Sequence, residues 1–173
     1  MTNRLRPLHI RQMSVTDLPR VLEIADSLQD APHWQLDSYL EAIGALGSPL
    51  RIALTAADAT SERPLGFLIA SVVAPDAELE SIAVAADAQR MGIGNSLLQA
   101  LFQKLADHDV TRLLLEVRAS NRGAIRFYEM CGFRGIGRRN RYYADPQEDA
   151  VLLGKDLRRI EDVATKPSAP NSM

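Results

Sequence analysis

A turn with two glycines lies between a predicted β-strand and a predicted amphipathic helix, and this succession constrains the fold most. The strand is expected over residues 77–84, and the segment Gln89-Arg90-Met91-Gly92-Ile93-Gly94 opens the helix. Apolar residues then follow at helical spacing to about residue 107: Ile93, Leu97, Leu98, Leu101, Phe102 and Leu105. A strand that leads through a glycine turn into a helix is typical of domains in which helices pack on a sheet.

The start of this helix favours an anionic ligand. Backbone N–H groups in the first helical turn have no partner within the helix, and the helix dipole adds partial positive charge. Glycine lets the backbone approach a phosphate closely, and Arg90 supplies a full charge. We therefore expect a phosphate-bearing ligand, although a glycine pair alone can also simply open a helix.

Three classes of nucleotide ligand are considered for this turn. A Walker loop requires lysine and then serine or threonine after its last glycine, but Asn95 follows Gly94, which excludes it. A dinucleotide fingerprint fits less well, because its third glycine falls on Leu97 and residues 85–91 make the connection too long, although Glu116 could bind a ribose. Coenzyme A is the third class.

The remaining hydrophobic patterns predict a single α/β (α+β) domain over residues 1–157. Strands are expected at 8–13, 51–57, 65–74, 77–84, 111–117, 133–139 and 150–156, and helices at 16–28, 36–46, 92–107 and 121–130, the second one ended by Gly47 and Pro49. This order predicts a mixed, open sheet with a β-meander. Residues 158–173 form a charged, then Pro/Ser-rich tail that we expect to be disordered at its end.

Composition excludes several function classes. The chain has 173 residues and a net charge of −2, so it offers no overall positive field for nucleic acid. The single cysteine, Cys131, rules out an intrachain disulfide, and the three histidines show no metal-ligand spacing, so no metal is expected. The polar N-terminus and the absence of any long apolar run predict a cytoplasmic protein without membrane association.

Several motifs in order resemble the GNAT superfamily of acyl-CoA-dependent N-acyltransferases. They are Ile82-Ala83-Val84, then Gln-x-x-Gly-x-Gly, then Asn121 and Tyr128-x-x-x-Gly132-Phe133. The stretch Leu115-Glu116-Val117-Arg118-Ala119-Ser120-Asn121 and the later segments Arg138-Arg139-Asn140, Tyr142-Tyr143 and Glu148-Asp149-Ala150 resemble the RimI-like branch, whose members acetylate the N-terminal alanine of a ribosomal protein. The resemblance implies the GNAT fold, with two central strands that splay apart and helices on both sides.

The resemblance also implies where acetyl-CoA binds as co-substrate. Main-chain groups of Ile82, Ala83 and Val84 would pair with the pantetheine. The pyrophosphate would lie on the glycine turn, formed by Gln89, Arg90, Met91, Gly92, Ile93, Gly94 and Asn95. The side chains of Asn121 and Tyr128 would complete the cofactor site.

Catalytic roles follow from the same resemblance. Glu116 matches the general base and Tyr128 the general acid. A phenol with a pKa near ~10 protonates a thiolate near ~8.5 at a cost of about 2 kcal/mol, which a catalysed reaction can absorb. Glu78 is the reserve base, because other branches place a glutamate on the strand before the turn, and Glu80 is a weaker candidate. Both share strand parity with Ile82, so either is expected to face the cleft.

The acceptor is a primary amine, with a protein N-terminus as the leading candidate. An α-amine with a pKa of about 8 asks about 3 kcal/mol less of the base than a lysine at about 10.4. Trp34, Tyr142 and Tyr143 match the acceptor side of RimI-like enzymes, but His33 replaces a proline and Arg141 interrupts an Asn-Tyr-Tyr run. Acetylation of a small-molecule amine and a non-catalytic acyl-CoA sensor are the alternatives, and the oligomeric state is left open.

Overall fold

Seven strands and four helices form the described part of the chain, in the order that the sequence predicts. The computed structural model describes residues 7–28, 34–44 and 50–158. The elements are β1 (Leu8–Gln12), α1 (Leu18–Asp26), α2 (Leu36–Ala42), β2 (Arg51–Asp58), β3 (Pro64–Val73), β4 (Asp76–Val84), α3 (Ile93–Leu105), β5 (Arg112–Arg118), α4 (Arg122–Met130), β6 (Arg134–Ala144) and β7 (Gln147–Asp156). The predicted α/β (α+β) class with a β-meander is confirmed.

One sheet contains all seven strands in the spatial order β1-β2-β3-β4-β5-β7-β6. Neighbours are antiparallel except β4 and β5, which are parallel because α3 carries the chain back between them. This parallel pairing is short and joins only residues 76–78 to residues 112–114. Beyond these residues β4 runs on to Val84 and β5 to Arg118 without pairing with each other, so the two central strands splay apart.

Two consecutive residues of β3 define the two faces of the sheet. The missing side chain of Gly66 would point at Ile93 of α3, whose Cγ2 would lie 3.2 Å from an added Cβ. The ring of Phe67 lies 6.0 Å from that of Tyr39 in α2. Because successive strand residues point to opposite faces, α3 and α2 cover opposite sides of the sheet. We call these the α3 face and the α2 face.

The N-terminal turn before α1 is held by a buried carboxylate. Asp17 is 3% exposed and accepts hydrogen bonds from Arg11 at 2.7 and 2.9 Å and from the Ser14 backbone N–H at 2.9 Å. Ser14 and Asp17 thus form a capping box, which precedes Pro19 in the first turn of α1. Burial tends to raise the pKa of Asp17, but Arg11 and Ser14 outweigh it and hold that pKa below its ordinary value.

Element boundaries differ from expectation by four or more residues at two places. α2 ends at Ala42, four residues early, because Gly44 adopts φ +78°, a left-handed conformation that stops a helix. β6 extends to Ala144 instead of residue 139, since β6 and β7 pair as a long hairpin. Gly47, Pro49, His33 and the predicted tail from residue 159 lie outside the described residues.

Candidate active site

A slit opens in the sheet where β4 and β5 stop pairing. The last paired residues are Glu78 and Leu114. Beyond them, Ile82, Ala83 and Val84 still pair with β3 on one side, while their other edge has no pairing with β5. Backbone N–H and C=O groups at an unpaired edge can bond an extended ligand in the manner of an added strand. This edge therefore fits the amides of a pantetheine arm.

The glycine turn lies at the end of the unpaired part of β4. Arg90 and Gly92 adopt φ of +63° and +79°, and α3 begins directly afterwards at Ile93. The Gln89 side chain folds back and donates to the Val84 carbonyl at 3.3 Å. Such a turn exposes the N–H groups of the first helical turn, including those of Gly94 and Asn95, which is the arrangement that binds a pyrophosphate.

Gly94 is constrained by contact with α4 as well as by ligand access. A Cβ at Gly94 would lie 3.2 Å from Cζ of Phe127, which is tighter than an ordinary van der Waals contact. The start of α3 and the body of α4 thus pack closely on the same face of the sheet. Met91 and Ile93 sit beside this contact, half-buried and buried respectively.

Asn121 has a structural duty in addition to its expected cofactor contact. Its side-chain oxygen accepts a hydrogen bond from the Ala124 N–H at 3.0 Å and so caps α4. The side-chain NH₂ group is the part that can still donate to a ligand. The preceding turn is fastened to the β6–β7 hairpin, because the Ser120 N–H donates to Glu148, which also pairs with Arg118 at 3.4 Å.

Tyr128 lies on the α3 face, buried to 8% exposure. Its ring is 5.6 Å from that of Phe133, which in turn lies 6.5 Å from Phe102 of α3. Burial, and then the proximity of Cys131 and Tyr143, raise the pKa of the Tyr128 phenol well above its ordinary value. The phenol is therefore protonated at neutral pH, the form in which it can donate a hydrogen bond or a proton.

Glu116 and Glu78 lie together on the opposite, α2 face. Glu78 pairs with Ser71 of β3, which has the same parity as Phe67, and with Leu114, two residues before Glu116. Cross-strand partners share a face, so both carboxylates project toward the α2 side. Glu116 lies two residues beyond Leu114, the last residue of β5 that pairs with β4, and so lies where the slit begins.

The expected common parity of Glu78 and Ile82 is wrong. The register of β3 against β4 shifts between Ile69 and Ala70, where β4 carries the extra residue Glu80. Such a bulge reverses the alternation of side chains beyond it. Ile82 consequently pairs with Leu68 and lies on the α3 face, across the sheet from Glu78.

Arg139 contacts Glu116, a contact that the sequence did not predict. Its Nε forms an ion pair with Glu116 Oε1 at 2.9 Å, and its guanidinium lies 5.3 Å from the ring centre of Tyr142. The Tyr142 hydroxyl donates a hydrogen bond to Glu116, which raises the pKa of the phenol. A register shift between Arg139 and Tyr143, which the sequence pattern does not reveal, directs this part of β6 toward the site.

The other two carboxylates near the slit differ from each other in their surroundings. Glu80 is bound by Arg51 at 3.0 and 3.1 Å, so its charge is already matched. Glu78 forms no ion pair within the described residues, and loss of hydration raises its pKa, helped by the charges of Glu116 and Glu80 and opposed by Arg139. A carboxylate with a raised pKa is better suited to accept a proton near neutral pH. Glu80 is thus the less suitable reserve base.

The three residues expected on the acceptor side are distributed around the α2 face. Trp34 is half-buried and packs 5.5 Å from Tyr39. Tyr143 lies under the Arg118 guanidinium at 4.1 Å and meets Tyr142 edge-on at 5.2 Å. Arg141, which interrupts the tyrosine motif, adopts φ +54° within the irregular part of β6, where its N–H is held by Asp149. Tyr142 consequently remains beside Glu116.

Other features of the described residues lie away from the slit. Two surface grooves, of about 300 and 180 Å³, lie between β1, β2 and the C-terminal part of α3. Within residues 7–28, 34–44 and 50–158, no group of three or more histidine, cysteine or acidic side chains could hold a metal ion. Over the same ranges, none of the helices is both long and apolar enough to cross a membrane.

A splayed mixed sheet with a glycine turn at the splay is the fold of acyl-CoA N-acyltransferases, and here Glu116 and Tyr128 lie on its two sides. The Acetyltransferase (GNAT) family matches residues 18–133, and the chain belongs to that family. It is an N-acetyltransferase.

Relatives within the family share a common name. The chain is 38% identical over 143 residues to a [ribosomal protein bS18]-alanine N-acetyltransferase of Salmonella typhimurium, covering 82% of this chain and 92% of that protein. A protein of the same name from Escherichia coli is 36% identical over 146 residues, covering 83% and 94%. The crystal structure of the ribosomal-protein-S18-alanine N-acetyltransferase from Escherichia coli superposes with a TM-score of 0.73 at 31% identity, covering 88% of this chain and 96% of that one. The predicted RimI-like resemblance is confirmed.

Proposed function

We propose that this protein transfers the acetyl group of acetyl-CoA to the N-terminal α-amine of a protein, by direct attack in a ternary complex. The relatives named above act on the alanine of a ribosomal protein, and we propose the N-terminus of a ribosomal protein as the acceptor here as well. A ribosomal acceptor places the reaction in the cytoplasm.

One observation carries the proposal: the candidate base and the candidate acid lie on opposite faces of the sheet, on either side of the slit. Glu116 projects to the α2 face at the point where β4 and β5 separate, and Tyr128 is buried on the α3 face. A thioester held in the slit would present its carbonyl carbon to an amine on one face and its sulfur to Tyr128 on the other. This arrangement lets the base act on the attacking amine and the acid act on the departing sulfur without competing for one position.

Acetyl-CoA would bind along the unpaired edge of β4, with its pyrophosphate on residues 89–95. It supplies an acetyl group activated as a thioester. Ile82, Ala83 and Val84 would hold the pantetheine by main-chain hydrogen bonds, and the NH₂ group of Asn121 would donate to the cofactor. The side chain of Tyr128 would lie near the sulfur, in agreement with its burial on the same face as the turn.

Proton movements can be assigned to residues of this chain. Glu116 takes a proton from the acceptor ammonium, and the neutral amine then forms the N–C bond as the C–S bond breaks. Tyr128 protonates the departing thiolate. Because burial raises the pKa of Tyr128, a free phenolate is costly, so Tyr128 gives up its proton only as the thiolate departs. The attacking nitrogen must lose a second proton to become an amide, and this proton returns to Tyr128.

Thiol release from acetyl-CoA tests the proposal with two peptides. One begins with a free alanine, and its twin is blocked at the N-terminus and carries an internal lysine. We expect turnover of the free N-terminus alone, and we expect Glu116→Gln to lose at least about a hundredfold in kcat. Glu129→Gln, the same substitution at an exposed position of α4, is the matched control.

The variant Glu78→Gln separates the two carboxylates. If Glu78 rather than Glu116 takes the proton, Glu78→Gln will show the larger loss. Turnover of the lysine peptide alone would contradict the assigned acceptor. Silence with both peptides, while acetyl-CoA still binds, would favour a small-molecule amine or a non-catalytic acyl-CoA sensor.

A further inference from the structure

The described residues place one cation against the carboxylate that the proposed reaction needs free. Arg139 Nε lies 2.9 Å from Glu116 Oε1, and Glu116 is 16% exposed at its side chain. Other groups that face this carboxylate are Tyr142 from β6 and Glu78 from β4. Since Arg51 already pairs with Glu80, Arg139 is the positive charge that offsets the Glu116–Glu78 pair.

An incoming acceptor brings its own cation to the same place. At neutral pH most α-amines carry a proton and arrive as ammonium ions. An ammonium donates to a carboxylate at the same distance as a guanidinium N–H does. Arg139 already occupies Glu116 Oε1, so an acceptor ammonium that takes this oxygen must displace the guanidinium.

The surroundings of Arg139 allow its side chain to be displaced. Its side chain is 55% exposed, whereas that of Glu116 is 16% exposed. It projects from β6, an edge strand, just before a register shift, and its second contact is the face of Tyr142 at 5.3 Å. The guanidinium can therefore move outward over Tyr142 into solvent without breaking the hydrogen bonds of the sheet.

We propose that Arg139 is a specificity-determining residue that holds the position of the acceptor ammonium beside Glu116 and is exchanged for it when a cationic amine binds. This inference rests on the proposed function only in naming Glu116 as the group that the acceptor reaches. The exchange favours acceptors that carry a full positive charge on a primary amine. Weakly basic, neutral amines cannot replace the guanidinium and are rejected.

Acceptor kinetics test the exchange. An ion pair of ordinary strength near a surface leaves Glu116 open in about one molecule in five, so Arg139→Gln should lower the acceptor KM about three- to fivefold, with the acetyl-CoA KM unchanged. Arg139→Lys keeps the charge and should stay near the wild-type value. Arg138→Gln is the matched control, since Arg138 is 58% exposed on the same strand but pairs with Asp149.

A higher acceptor KM in Arg139→Gln would overturn the proposal, because Arg139 would then attract or position the acceptor instead of standing in for it.

A second measurement does not depend on turnover. In full-length protein, the ¹⁵N–¹H signal of Arg139 Nε should shift on addition of alaninamide, which carries an ammonium, and not with N-acetylalaninamide, which has none. The Arg138 signal should stay in place with both. An Arg139 signal indifferent to alaninamide would refute the exchange even if the enzyme is active. A shift in a protein that acetylates no acceptor would instead contradict the proposed function and leave the exchange standing.

Discussion

Replacing Gly66 with alanine should disturb both stability and the binding of acetyl-CoA. An added Cβ at Gly66 would lie 2.8 Å from the carbonyl oxygen of Ala83 and 3.2 to 3.3 Å from methyl groups of Ile93 and Val84. A real Cβ keeps about 3.3 Å from a carbonyl oxygen, so β4 must retreat by roughly 0.5 Å from β3. That movement shifts the edge of β4 that is expected to bind the pantetheine.

The magnitude follows from two opposing effects. Alanine in place of glycine lowers the entropy of the unfolded chain and contributes about 0.5 to 1 kcal/mol of stability. Overpacking against backbone costs about 1 to 3 kcal/mol. The net effect lies between about 0 and 2.5 kcal/mol, so Gly66→Ala should destabilise the fold by about 1 kcal/mol, which for a domain of this size lowers Tm by about 2 to 4 °C.

The control is Gly135→Ala, a strand glycine of β6 with nothing within 4 Å of its added Cβ. Thermal unfolding should show Gly135→Ala at or slightly above the wild-type Tm. Calorimetric titration with acetyl-CoA should show weaker binding in Gly66→Ala alone. If both variants match in Tm and in affinity, the close approach of β3 to β4 at the cofactor edge does not constrain this site as argued.

Two further predictions concern charge and proton transfer. Because the pKa of Asp17 is held below its ordinary value, its stabilising effect is present above about pH 4 and is lost as the pH falls through the lower folded pKa. Asp17→Asn should lower the free energy of unfolding by about 2 to 3 kcal/mol at pH 7. It should also weaken the dependence of this free energy on pH, measured by urea unfolding at a series of acidic pH values. An unchanged pH dependence would contradict the role of the Arg11 contact. Tyr128→Phe should change the free energy of acetyl-CoA binding and the free energy of unfolding by no more than about 1 kcal/mol, while kcat falls about a hundredfold. A loss of acetyl-CoA affinity as large as the loss in kcat would show that the hydroxyl serves binding rather than acid catalysis.

The fold could be predicted because its elements have strong local patterns. Alternating and helical periodicities are properties of neighbouring residues, so all seven strands and four helices were expected in their observed order. Helix ends were predicted less well. α2 ends at Ala42, because Gly44 adopts a left-handed conformation before the chain reaches Gly47, where the sequence predicts the end of the helix.

The arrangement of the site could be predicted only where it follows the backbone order. The glycine turn, Glu116 and Tyr128 lie at ends of regular elements, which a motif can locate. The side of the sheet to which Glu78 points could not be predicted, because a single extra residue at Glu80 reverses the alternation. A bulge depends on the register against a partner strand, and that register is not a local property.

Arg139 illustrates the same limit. Strand alternation describes an exposed arginine on an edge strand and nothing more. Its contact with Glu116 crosses from β6 over β7 to β5 and depends on the register shift before Tyr143. Only the pairing of all three strands brings the two charges to 2.9 Å.

The central claim, transfer through the slit between β4 and β5, is tested most directly by a crystal structure with a bisubstrate analogue that joins coenzyme A to the α-nitrogen of a short alanine peptide. We predict that the linking atoms pass between β4 and β5 beyond Glu78. The pantetheine and pyrophosphate should lie with Tyr128 and the glycine turn on the α3 face, and the peptide beside Glu116 on the α2 face. An analogue bound with both halves on one face of the sheet would contradict the account.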